Sequence, residues 1–129
     1  MGNTVDTAFR TGVDSYNGKS YPDAFRQFKG LEEQSHAEGI YMLGVMAYYG
    51  EGCEKDMKEA YEKFQKAHLL NESKATFRLG MMLMKGEGVA KDMTEGDRYL
   101  KEAYAKGFMD PQKEYSKWSS EPQRTKLQR

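Results

Sequence analysis

A chain of 129 residues, 38% apolar and 31% charged, has room for one domain, and its composition suits a thin repetitive architecture better than one thick core. Formal net charge is zero, so no bulk field draws the chain to nucleic acid or to a membrane surface. A lone cysteine, Cys53, excludes an intrachain disulfide and points to the cytoplasm or another reducing compartment, while the start "MGNTVDTAFR" carries neither an apolar leader region nor a complete lipidation signal.

Hydrophobic periodicity predicts seven helices and no strands. The first unit, about residues 4–35, holds a helix with Gly12 and Tyr16 that stops at Gly18. Its second helix has Pro22 in the first turn, Ser20 and Asp23 placed as a capping box, and Ala24, Phe25 and Phe28 along one face. In the second unit, about 36–72, the stripe Ile40, Leu43, Gly44, Ala47 marks a helix ended by Gly50 and Gly52. Asp56 and Glu59 then form the capping box of a helix with Ala60, Tyr61, Phe64 and Ala67 on one face. The third unit, about 73–110, repeats the plan with Gly80, Gly86, Gly88, Asp92, Glu95 and Ala103. At Asp110-Pro111 a short helix begins that carries Tyr115 and Trp118. This partial unit, 111–118, is expected to cover the open end of a repeat domain spanning 1–121, before a basic tail, 122–129.

The strings "YYGEGCEKDM" and "MKGEGVAKDM" stand 36 residues apart, and Leu43-Gly44, Gly50-Glu51-Gly52 and Lys55-Asp56-Met57 all recur at that shift. Gly12, Tyr16 and Gly18 match the second unit at a shift of 32, whereas Phe28 matches Phe64 at 36, so the first turn is four residues shorter. A period of this size is the mark of a stacked array. The "GEG" turn completes no phosphate-binding pattern and follows no strand, so it reads as a helix stop.

The stretch "LGVMAYYGEGCEKDMKEAYEKFQKAH" resembles the Sel-one-like repeat, a relative of the tetratricopeptide repeat. Residues 36–72 and 73–110 carry the motif, with Gly96 where the family has Ala and Cys53 where it has Val. Residues 6–35 are nearer a tetratricopeptide unit. The resemblance implies an all-α solenoid of three helix-turn-helix repeats that binds proteins and scaffolds complexes. A cysteine-rich secreted branch associated with penicillin binding is stapled by one disulfide per repeat, which this chain lacks.

No catalytic, cofactor or metal set is expected. His36 and His68 do not recur and share no ligand spacing with Cys53, which reads as a small apolar plug. Glu51 and Glu87 read as a solvated edge. The sharper signal is the side of each first helix opposite its core stripe. In the second unit it is Glu38, Met42, Val45 and Tyr49, too apolar for an exposed face. Its counterparts are Asp6, Arg10, Val13 and Asn17 before it, and Lys74, Arg78, Met81 and Lys85 after it. Neighbouring units are one cover for this face; a groove with an apolar floor and a basic wall is the other. On the second reading the chain is a non-catalytic adaptor for a protein segment with apolar and acidic residues, and Arg78 is its main anchor. The alternative is a structural subunit of a larger protein or ribonucleoprotein assembly, with nucleic acid reached only through the tail.

Overall fold

The computed structural model describes residues 4–107. Among them are six helices and no strand: α1 (Thr4–Asn17), α2 (Tyr21–Glu33), α3 (Ala37–Tyr49), α4 (Met57–Leu69), α5 (Ser73–Lys85) and α6 (Met93–Ala105). The expected helix at 111–118, Trp118 and the tail 122–129 lie outside the described residues.

Each first helix packs on the helix that follows it, and the glycine of its core stripe is the contact point. A Cβ at Gly44 would stand 2.5 Å from the Phe64 ring, which has no exposed surface; at Gly12 it would stand 2.6 Å from Phe28. In the third pair Gly80 meets Leu100 at 2.8 Å and the Gly96 carbonyl at 2.9 Å, so Gly96 is where α5 and α6 approach most closely. Ala24, Ala60 and Ala67 are fully buried beside these contacts.

Both glycines of each "GEG" turn are needed. Gly50, Gly52, Gly86 and Gly88 all have φ between 71° and 76°, in the left-handed region. The second of each pair also lies against the preceding unit: a Cβ on Gly88 would meet the Met57 carbonyl at 2.4 Å. The first turn spans only residues 18–20, against 50–56 and 86–92, and its left-handed residue is Lys19.

The caps differ from expectation. Asp56 and Asp92 accept hydrogen bonds from the Glu59 and Glu95 amides, both at 3.0 Å. The reciprocal half of each box is absent, because the Asp56 and Asp92 amides donate to the Ala47 and Leu83 carbonyls across the turn. Ser20 makes no side-chain cap bond, and Asp23 is paired with Arg26 instead. His36 caps α3, its Nδ1 accepting from the Gly39 amide.

Successive second helices are joined at one repeated position by different chemistry. Glu32 on α2 accepts from Lys63 and Lys66 on α4, at 2.5 and 2.9 Å. Its counterpart on α4 is His68, whose ring meets Tyr99 of α6 edge-on and whose Nδ1 lies 2.7 Å from the buried Thr76 hydroxyl.

Two stability tests follow from this packing. Gly44→Ala should destabilise by about 1–3 kcal/mol through overpacking. Gly30→Ala, with nothing within 4 Å of the new methyl, should stabilise by about 0.4–1 kcal/mol. Urea midpoints at constant slope would read both.

The second-helix junctions set two acid windows. Burial lowers the pKa of His68 and outweighs Glu102, which raises it. The unfolded chain therefore takes up the proton first, and stability present above pH 6.5 is lost as pH falls below that value. Burial of Glu32 opposes its charge, but the Lys63 and Lys66 hydrogen bonds win and bring its pKa to about 2, from an ordinary 4.5. Stability from that pair is present above pH 4.5 and is lost between there and about pH 2. Urea titrations across pH should show both losses, the upper one abolished in His68→Gln and the lower one in Glu32→Gln.

Candidate first-helix interface

The first helices α1, α3 and α5 form one row, tied together at both ends. Near their starts Phe9 of α1 packs on the His36 ring at 5.2 Å, and Lys74 of α5 pairs with Glu38 of α3 at 3.4 Å. At their ends the Tyr16 hydroxyl donates to Glu51 and the Tyr48 hydroxyl to Glu87, each at 2.7 Å. Each bond runs from a first helix to the turn of the next unit. Glu51 and Glu87 are therefore acceptors of an inter-unit clasp, not a solvated edge. Burial first, and then the neighbouring carboxylate, raises the pKa of both phenols, so they remain donors well above neutral pH.

Within this row the expected floor divides. Val45 is only 6% exposed and belongs to the central core with Ile40, Leu79 and Met82; Met81 is 3% exposed and packs with Phe77 and Leu100. Neighbouring helices cover these two side chains. Val13 and Met42 are half-buried against the core beneath α1 and α2. Tyr49 does reach solvent, at 46% exposure, and Arg10 and Asn17 are exposed on α1.

The basic wall is engaged in part. Lys74 is held by Glu38 and lies 5.5 Å from the Tyr41 ring centre. The Arg78 guanidinium sits among the rings of Tyr48, Tyr49 and Phe64, at 5.8, 5.9 and 6.0 Å. Burial works against its charge, but Tyr41 and Tyr49 outweigh that and hold its pKa above the ordinary arginine value. Half-buried Lys85 ends α5. The two expected site residues brought into direct contact are thus Tyr49 and Arg78, and Tyr48 stands edge-on to Tyr49 at 4.9 Å.

Among the described residues no three His, Cys, Asp or Glu side chains converge as a metal set, and no helix is long and apolar enough to cross a membrane. Cys53 packs in the turn of the second unit. Burial, then Glu59, Asp56 and Glu51, push its thiol pKa up.

These features define a helical-repeat protein whose side-chain contacts are spent on joining units. The Sel1 repeat profile matches residues 37–68 and 73–108, more than half of the chain, and the chain belongs to that family. The helices α1 and α2 lie outside the match. Sel1 repeats generally serve as protein–protein interaction modules, typically without catalysis. A Sel1 repeat protein from Oxalobacter formigenes is similar in structure, with a TM-score of 0.77 and 25% identity over 84% of this chain and 44% of its own. A protective antigen of uropathogenic Escherichia coli with an SLR fold gives 0.76 and 27% over 80% of this chain and 23% of its own. Cysteine-rich protein B of Helicobacter pylori shares the fold at a TM-score of 0.66 and 20% identity, over 85% of this chain and 96% of its own. The chain thus spans less than half the length of the first two. None of the curated proteins matches its sequence.

Arg78 is a packed residue as well as a charged one. Arg78→Glu would set a carboxylate among three aromatic rings and should cost about 2–3 kcal/mol. The sequence alone, in which Arg78 lies on an outer helix face, predicts no loss of stability. Arg78→Met, which keeps the stem contacts, should cost less than half as much by urea denaturation.

Proposed function

We propose that the chain is a non-catalytic protein-binding module of a reducing compartment, and that its partner segment lies across α1, α3 and α5. The observation that carries this reading is the Tyr49–Arg78 pair: a large aromatic ring, nearly half exposed, braced by Tyr48 and a guanidinium. A rigid aromatic beside an arginine is the composition of interface hot spots. The partner's apolar side chains would rest on Tyr49 and Met42 above buried Val45 and Met81. Its acidic residue would face Arg78 and Lys85, with Lys74 released from Glu38 as a further donor. Arg10, Val13 and Asn17 extend the same row toward the N-terminus. The family's general role in protein–protein interaction supports the reading.

A second reading, a structural subunit of a larger assembly, is favoured by large apolar side chains exposed away from this face: Leu69, at 79%, Leu70 and Tyr104. Light scattering on the purified chain separates the two, an aggregating chain rescued by co-expression supporting the subunit and a stable monomer the adaptor.

For the interface itself, the partner must be purified and titrated by calorimetry. Tyr49→Ala should weaken binding at least about tenfold, and Lys85→Glu should weaken it with a smaller dependence on salt than the unmodified chain. Lys58→Ala, on an exposed part of α4, should bind as the unmodified chain does. Unchanged affinity in both first-helix variants places the contact elsewhere.

A further inference from the structure

A cavity of about 180 Å³ opens on the other side of the first two units, closed by α2, α3 and the turn that leads into α4. Its floor is apolar: Phe25, Leu43, Ala47 and the Cys53 sulfur. Its rim carries the carboxylates of Glu54, Asp56 and Glu59. Lys29 and Lys63 also line it; both ammonium groups are drawn onto Glu32, at 3.3 and 2.5 Å, and Lys63 also pairs with Glu59 at 3.5 Å. Asp56 and Glu59 sit at the start of α4, which offsets part of their charge. Glu54 stands in the turn, exposed, with no ion-pair partner among the described residues. The raised pKa of Cys53, caused by burial and then by Glu59, Asp56 and Glu51, agrees with a negative field at the floor.

The repeat supplies an internal comparison. At the second junction the residue in the place of Ala47 is Leu83, 4% exposed, and the residue in the place of Lys63 is Tyr99, packed against the core. Glu54 is matched by Ala90. Two lining positions of the first junction thus carry larger packed side chains at the second, and of the three rim carboxylates Glu54 is the one not repeated, Asp92 and Glu95 standing in the places of Asp56 and Glu59. The lining of the first junction is not reproduced at the second.

We propose that this cavity is a docking site for a single basic side chain, arginine or lysine, projecting from a protein segment. Its aliphatic stem would lie on Phe25, Leu43 and Ala47, and its charged head would stay at the rim beside Glu54. The volume suits one side chain, since an apolar cavity of about 150 Å³ accepts a benzene ring. Long basic side chains bury the stem and keep the head near water, so an open pocket with an apolar floor and an acidic rim is complementary to them. The site takes the opposite charge from the first-helix face and shares no residue with it, so the two stand or fall separately.

The probe is n-butylguanidinium, titrated at millimolar concentrations against the isotopically labelled chain while amide resonances are followed. Saturable shifts confined to residues 53–56 and their pocket neighbours are expected. Ala47→Leu, which installs the residue of the second junction, should abolish them. Glu54→Lys, on an exposed side chain that leaves the core intact, should weaken the probe at least about threefold. Hexanoate, of the same length and opposite charge, should give no saturation. Shifts that never saturate, hexanoate binding as tightly as the guanidinium, or an Ala47→Leu chain that is folded and still binds would each overturn the proposal. If Ala47→Leu fails to fold, an unchanged affinity in Glu54→Lys overturns it alone.

Discussion

The close approach of a helix backbone to a ring sets the geometry of the whole molecule. At Gly12, Gly44 and Gly80 even a methyl group would collide with Phe28, Phe64 or Leu100. A helix with no side chain at its contact point lets its partner's bulk enter the gap, which keeps interior packing dense without a thick core. The third pair takes this further, with glycine on both helices and leucine in place of phenylalanine. Because each pair spends one face this way, the remaining faces of α3 and α5 are left for their neighbours in the row. Such pairs can stack while the chain stays only moderately apolar.

Between pairs the bonds are more varied. The Tyr16–Glu51 and Tyr48–Glu87 hydrogen bonds repeat faithfully at the turns. The second-helix junction does not repeat: a carboxylate held by two lysines of the next second helix in one place becomes a neutral histidine against a tyrosine in the next. The Glu32 cluster keeps side-chain exposure near 10% for its acid and 15% for Lys63, which distinguishes it from the more open ion pairs along α6. One fold thus tolerates two junctions with different responses to acid, because the helix contacts beneath them are the same.

The repeat, the helix pairs and the turn glycines were legible in the sequence, since each rests on local chemistry: a 36-residue period, positive φ at glycine, and aspartate at a helix start. Half of each capping box was not, because the amide that Glu59 would have satisfied already bonds to the Ala47 carbonyl across the turn. The first-helix face was legible in outline only. Leu43 to Ala47 are all buried, so α3 has no polar side from which to read an outward direction. That is why Val45 and Tyr49, one helical turn apart, read alike and lie in different environments. Arg78 misled for a related reason: a charge on a helix reads as solvent-facing until the tyrosines of the neighbouring helix are in place. The clasp could have been found. Tyr16 and Tyr48 recur, Glu51 and Glu87 recur, and only the step of pairing one unit's tyrosine with the next unit's glutamate was missing.

The direction of that clasp gives the array a head and a tail. Unit one offers a tyrosine but has no glutamate in its shortened turn; unit three has the glutamate but carries Met84 in the tyrosine's place. The middle unit alone holds both halves, Tyr48 and Glu51, and so is the one segment able to follow a copy of itself. Were its 36 residues duplicated in tandem, by genetic accident or by design, every new joint would inherit a matched donor and acceptor. Of the three described units, the middle one is thus the link that can be multiplied.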